Sequence, residues 1–271
     1  MALRIHNNIE AFNAHRNLSN TGTKLASSLE KLSSGYRINR AADDAAGRAI
    51  SEKLRGQIKG LAQAQRNVGD AISLVQTAEG SMNEVHSMLQ RVRELAVQYG
   101  NGTLSVADKA SITTEINQLQ SDIERIGKDT EFNGIKLLSG ANPLITFQVG
   151  AKDAQNITVT TASLTTLVTS GSATGAFSLG DATDLAEIDA AIDAVSKQRG
   201  VFGSVQNRLE YTANDLSAYQ ENLMSAESRI RDVDMAAEMA NMTKFQILNQ
   251  AGTSMLAQAN QSPQSVLSLL G

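Results

Sequence analysis

LRGQIKG LAQAQRN VGDAISL VQTAEGS MNEVHSM LQRVREL A, residues 54–96, decides the fold. Written in sevens, its first column reads Leu54, Leu61, Val68, Val75, Met82, Leu89 and Ala96, all apolar. A sustained period of seven marks a helix that buries one narrow seam against another helix. The flanks change along the stretch: Ile50, Ile58 and Ile72 support its first half, and Ala64, Ala71, Ala78, Val85, Val92 and Tyr99 the rest. Alanine on the flank lets a neighbouring helix approach closely. The same period returns at Ile188, Val195, Phe202, Leu209, Leu216, Leu223 and Ile230. Each seam corresponds to roughly 63 Å of helix at about 1.5 Å per residue, so two rods of matched length are expected to pair. A shorter pattern at Ile112, Ile116, Leu119, Ile123 and Ile126 follows the turn Gly100-Asn101-Gly102 and should fold back along the first rod.

Between the helices the period shifts. Ile145, Phe147 and Val149 alternate with Thr146 and Gln148, and Ile157 and Val159 with Thr158 and Thr160, which predicts a β-hairpin near 144–161 turning through Gly150 to Gln155. Asn133-Gly134 marks another turn. From 162 to 184 the chain is rich in Ser, Thr, Gly and Ala and reads as an exposed connection. The expected fold class is therefore mainly α: long antiparallel heptad helices in a coiled-coil-like bundle with a small β-hairpin.

Composition narrows the functions. The 271 residues include no cysteine, no tryptophan, two prolines and ten Phe or Tyr. Disulfide frameworks, thiolate metal sites and cysteine nucleophiles are excluded. His6, His15 and His86 have no metal-ligand spacing, and no His-Glu-x-x-His helix or phosphate-binding glycine loop occurs. A net charge of -4 gives no reason to expect nucleic acid as a partner. The absence of a long apolar run argues against membrane insertion and a cleaved secretory signal. No constellation suggests an enzyme, and no cofactor is expected.

The two ends are unusual. Residues 1–40 carry Arg4, Arg16, Lys24, Lys31, Arg37 and Arg40 against Glu10 and Glu30, beside an apolar series Ile5, Ile9, Phe12, Leu18, Leu25, Leu29 and Leu32. After Lys244 no charged side chain follows, yet Gln246, Asn249, Gln250, Gln258, Asn260, Gln261 and Gln264 keep the segment polar while it also holds Met255, Leu256, Val266, Leu269 and Leu270. So many amides do not suit a membrane span, and so many aliphatic residues do not suit a disordered tail. Both ends look built to pack against protein. Short amphipathic helices are marginal alone in water, so the ends are expected to order on assembly.

Several stretches resemble bacterial flagellin: Leu32-Ser33-Ser34-Gly35-Tyr36-Arg37-Ile38-Asn39 with Ala42-Asp43-Asp44-Ala45-Ala46-Gly47, then Gln90 to Gln98 and Phe132-Asn133-Gly134. Near the other end, Ser204-Val205-Gln206-Asn207-Arg208, Ser228-Arg229-Ile230 and Gln250-Ala251-Gly252-Thr253-Ser254 continue the likeness in order. The resemblance implies a short, core-only flagellin, a self-polymerising subunit of the extracellular flagellar filament that serves motility. It further implies that 1–44 with 232–271 line an inner tube and that 45–231 form an outer-tube helical domain. Export unfolded through the flagellum's own channel without a cleaved signal, an export chaperone and cap proteins follow from the same likeness. A hook-filament junction protein of the flagellum is the alternative.

The resemblance also suggests that a host flagellin-sensing Toll-like receptor reads Gln90, Arg91, Leu95, Gln98 and Glu115, with Leu119 standing where members can carry a basic residue. Assembly is expected to use Leu25, Leu29, Leu32, Arg37, Arg40, Met255, Leu256, Val266, Leu269 and Leu270. Asp43 and Asp44 invite an acid-base reading, but neighbours on a helix point about 100° apart and cannot converge on one bond. Helix capping is the expected role.

Overall fold

The computed structural model describes residues 8–169 and 184–270, of which 165, 167, 169, 184 and 262–270 are described by backbone alone. Two compact units emerge, Met1–Gly56 with Asn222–Gly271, and Gln57–Glu221. Helices α1 (Ile9–Ser34) and α6 (Met235–Leu270) lie in the first, while α2 (Ala45–Tyr99) and α5 (Asp184–Arg231) each contribute a stretch to both. The second unit also holds α3 (Val106–Asp129), β1 (Glu131–Phe132), β2 (Ile135–Lys136), β3 (Leu144–Gln148), β4 (Asn156–Thr160) and α4 (Leu164–Thr169).

In the second unit the two predicted seams form the core. Leu61, Val68, Val75, Met82, Leu89 and Ala96 of α2 are buried, as are Ile188, Val195, Phe202, Leu209 and Leu216 of α5. The rods run antiparallel, because α2 positions 65, 79 and 93 meet α5 positions 217, 199 and 189 in descending order. Helix α3 begins at a capping box in which Ser105 Oγ accepts from Asp108 N–H at 3.2 Å and Asp108 Oδ2 accepts from Ser105 N–H at 3.1 Å. It buries Ile112, Ile116 and Ile123 and returns along α2, as the turn at 100–102 predicts.

Strands β3 and β4 pair antiparallel from Leu144↔Thr160 to Gln148↔Asn156, with Ile157 and Val159 facing the core. A second, smaller hairpin, β1–β2, closes around Asn133-Gly134, both left-handed at φ 50° and 79°. The connection departs from its exposed reading over its first residues. Helix α4 buries Leu164 and Val168, and Leu164 lies against Gly127 of α3. Residues 170–183 of that connection lie outside the described residues. The seam members Leu54, Leu223 and Ile230 fall in the first unit and are only half-buried.

Candidate functional site

The first unit joins the two chain ends. Asn8 starts α1 by accepting from Ala11 N–H at 3.0 Å, and its amide donates to the Ala259 carbonyl of α6 at 2.7 Å. The half-buried positions of α6, namely 238, 242, 245, 249, 252, 256 and 259, recur at alternating steps of four and three. On α1, positions 11, 14, 18, 21, 25, 28 and 32 do the same, with only Ser28 fully buried. This is a heptad seam, but it is filled by Ala11, Ala14, Thr21, Ser28, Asn249, Gly252 and Ala259 as much as by leucine. At Gly252 a Cβ would sit 3.1 Å from Leu18 Cδ1, so glycine sets how closely the helices approach.

Such a seam buries little. Leu25, Leu32 and Leu256 reach it and are half-buried. Leu29 and Met255 face away, as do Ile9, Phe12, Met235, Met239, Ile247 and Leu248. Phe12 is 72% exposed and Met255 64%. The side chains of Val266, Leu269 and Leu270 lie outside the described residues, although the α6 backbone runs through them. At roughly 1.5–3 kcal/mol for each large apolar side chain moved from water to full burial, the outward residues hold burial that the single chain leaves unrealised.

The block from Gly35 to Gly47 is a knot between two loops. Gly35, at φ 75°, ends α1 in the left-handed conformation that glycine adopts without strain. Val233 N–H then donates to the Gly35 carbonyl at 3.0 Å and Arg37 N–H to the Arg231 carbonyl at 2.6 Å, with Tyr36 bridging to Asp232. Arg37 also uses its guanidinium within the chain, donating to the Ile230 carbonyl at 2.6 Å. Arg40 pairs with Glu30 at 3.0 Å. The Arg231 guanidinium lies 4.3 Å over the Tyr36 ring and 3.8 Å from both Glu52 and Glu227, and Glu227 accepts from buried Ser51 at 2.9 Å.

The two adjacent aspartates divide the capping role. Asp44 caps α2, its Oδ1 accepting from Gly47 N–H at 2.8 Å. Asp43 instead closes the loop, its Oδ2 accepting from Arg40 N–H at 2.8 Å and Asn39 N–H at 3.0 Å. The Arg40 amide foremost, aided by the Asn39 amide and the Lys31 and Arg40 charges, holds the Asp43 carboxyl below its ordinary value. The sequence marks this block by resemblance but not its partner segment, 230–233 at the end of α5, which lies far away along the chain.

In the second unit Arg91 is shared by two carboxylates. Its Nε and Nη2 donate to Glu115 Oε1 at 3.1 and 3.0 Å, and Nη1 donates to Glu94 Oε2 at 3.1 Å. These bonds, the Glu115 pair first, raise the Arg91 pKa further above its already high value. Gln90, Arg91 and Gln98 are exposed and Glu115 is half-exposed, so four of the expected recognition residues offer polar atoms to solvent. Leu95 does not, at 2% exposure; it packs inward beneath them. An unanticipated neighbour, Arg93, donates through Nε to Asp189 of α5 at 2.6 Å and lowers the Asp189 pKa by that bond.

Comparison with known proteins bears on both regions. The sequence pattern described as the bacterial flagellin N-terminal helical region matches residues 5–143, and that described as the bacterial flagellin C-terminal helical region matches residues 185–270. A flagellin of Halalkalibacterium halodurans is 51% identical, covering 98% of this chain and 99% of its own. One from Bacillus subtilis is 50% identical, covering 99% and 100%. The flagellar filament 33 kDa core protein of Treponema phagedenis is 44% identical, covering 98% and 99%.

Proposed function

The chain belongs to the bacterial flagellin family, and on that premise we propose how its two units divide the work of a filament. It is a structural subunit of the bacterial flagellar filament, short and core-only, outside the cell and built for motility. The chain ends polymerise: α1 and α6 of one copy bury their outward faces against neighbouring copies, 1–44 with 232–271 lining an inner tube, and 45–231 form the outer wall. The apolar side chains left outside the α1–α6 seam, Phe12, Leu29 and Met255 among them, carry this reading. Leu25, Leu32 and Leu256 complete the seam, and Val266, Leu269 and Leu270 are the assembly residues expected further along α6. Arg37 and Arg40 hold the loop from which α1 departs and thereby aim it.

Travel to the filament tip follows the same family reading. The subunit leaves through the flagellum's own export channel, escorted by an export chaperone and placed by cap proteins. On the second unit, Arg91 with Glu115, Gln90 and Gln98 forms the surface read by a host flagellin-sensing Toll-like receptor. Its support is the guanidinium held in one orientation by two carboxylates. Leu95 acts there from below, fixing the helix face rather than touching the receptor.

Deleting the last ten residues tests the polymerisation reading. Elongation of added filament seeds, followed by electron microscopy, is expected to stop while circular dichroism still reports the folded second unit. Normal filaments from the shortened chain would overturn the assignment of α6. If the intact chain forms no long tubes on salting out, the hook-filament junction role takes its place.

A further inference from the structure

Five of the eight methionines fall in residues 222–271. Met224, Met235, Met239 and Met255 are there exposed on the end of α5 and along α6, whereas Met82 in the core of the second unit is fully buried. Leucine supplies similar hydrophobicity at similar helix propensity, so clustering of the more adaptable thioether marks a surface that must repack against a partner. The thioether also brings a chemistry that leucine lacks. Methionine sulfoxide is polar and disrupts methionine-rich interfaces, and its formation tracks exposure.

We propose that Met224, Met235, Met239 and Met255 form a peroxide-sensitive modification site, whose conversion to sulfoxide keeps the unassembled subunit out of the filament. The thioether sulfur attacks one oxygen of hydrogen peroxide, and the O–O bond breaks as the S–O bond forms. Sulfur is oxidised by two electrons. The second oxygen is reduced and leaves as water, taking the proton of the transferred hydroxyl. The sulfoxides at 235, 239 and 255 then stand where α6 presents apolar surface, and that at 224 on the end of α5; burying any of them against another copy leaves a polar oxygen without a partner. This step rests on the proposed polymerisation through α6. Assembly itself shields the site, so free subunits react and filament subunits do not.

Graded hydrogen peroxide on the dilute full-length chain, followed by peptide mapping, measures oxidation at each methionine. Sulfoxide is expected at positions 224, 235, 239 and 255 before position 82, and the same four are expected to resist in seeded filaments. The oxidised chain should elongate seeds at least about tenfold more slowly, the effect of losing about 1.4 kcal/mol at the contact, and should recover with methionine sulfoxide reductases. Met239→Gln, polar without any peroxide, should slow elongation in the same direction. Equal oxidation of Met82 and the four, or oxidised chain that elongates at the untreated rate, overturns the switch. Untreated chain that never elongates overturns the polymerisation reading and the switch with it.

Discussion

Arg91 cannot be lost without releasing two carboxylates, since Glu94 and Glu115 share its guanidinium. Arg91 and Glu115 are about half-exposed and Glu94 more so, so the ion pairs contribute little to folding, and replacing Arg91 is expected to leave the unfolding midpoint unchanged. The double substitution Arg91→Ala with Glu115→Ala should nevertheless weaken signalling in a Toll-like-receptor reporter cell line. A dose response identical to that of the unaltered chain would remove these residues from the recognition surface.

Asp43 makes a different kind of claim, one about pH. Its carboxylate is stabilised by the Arg40 and Asn39 amides, so its pKa in the folded loop lies below the unfolded value of about 3.9. A depressed carboxylate lends stability that is present above the unfolded pKa and lost as pH falls through the folded one. The loop should therefore loosen only in acid below about pH 4, and Asp43→Asn should flatten that dependence. The carbon-13 shift of the Asp43 carboxyl, followed through an acid titration, checks the sign. A midpoint at or above the ordinary aspartate value means that the loop does not form in the free chain.

Two phenylalanines separate the roles of the helices that carry them. Phe202, wholly buried on the α5 seam, and Phe12, mostly exposed on α1, belong to the same residue type in opposite surroundings. Phe202→Ala is expected to destabilise the second unit by about 3–5 kcal/mol in a urea titration. Phe12→Ala should change that titration by less than about 0.5 kcal/mol yet slow seeded elongation. Destabilisation of the free chain by both substitutions alike would mean that α1 is already packed before assembly.

The same contrast explains what the sequence exposes and what it hides. The α2 and α5 seams are visible because each seventh residue is apolar, Leu, Ile, Val, Met82 or Phe202 at all but Ala96, a signal that survives over the whole rod. The α1–α6 seam has the same period, but Ala14, Thr21, Ser28, Asn249 and Gly252 occupy it, and a search for hydrophobic repeats passes over them. The apolar residues Ile9, Phe12 and Leu29 of α1 mark instead the face that the single chain leaves bare. Leu164 and Val168 are hidden for another reason: one short helical turn and a half among Ser and Thr has no period to detect. The Arg37 and Asp43 loop is legible as a motif and illegible as a structure, since its backbone partners Arg231 and Val233 lie nearly 200 residues away.

These features place order unevenly along the chain. The second unit closes its own aliphatic core, so its amides at Val68, Val75, Val195 and Leu209 should exchange only through its global unfolding. Helices α1 and α6 share a seam of small and polar side chains, with ordering costs of roughly 1–2 kcal/mol for each residue fixed. That seam alone is too thin to offset them, and neighbouring copies must supply the rest. In dilute solution the amides of residues 8–34 and 245–270 are therefore expected to exchange near the rate of an unfolded peptide, while those of the second unit stay protected. In seeded filaments both sets should become protected together. Strong protection of the end helices in the dilute chain would refute the coupling of their order to assembly, because the intrachain pair would then be sufficient on its own.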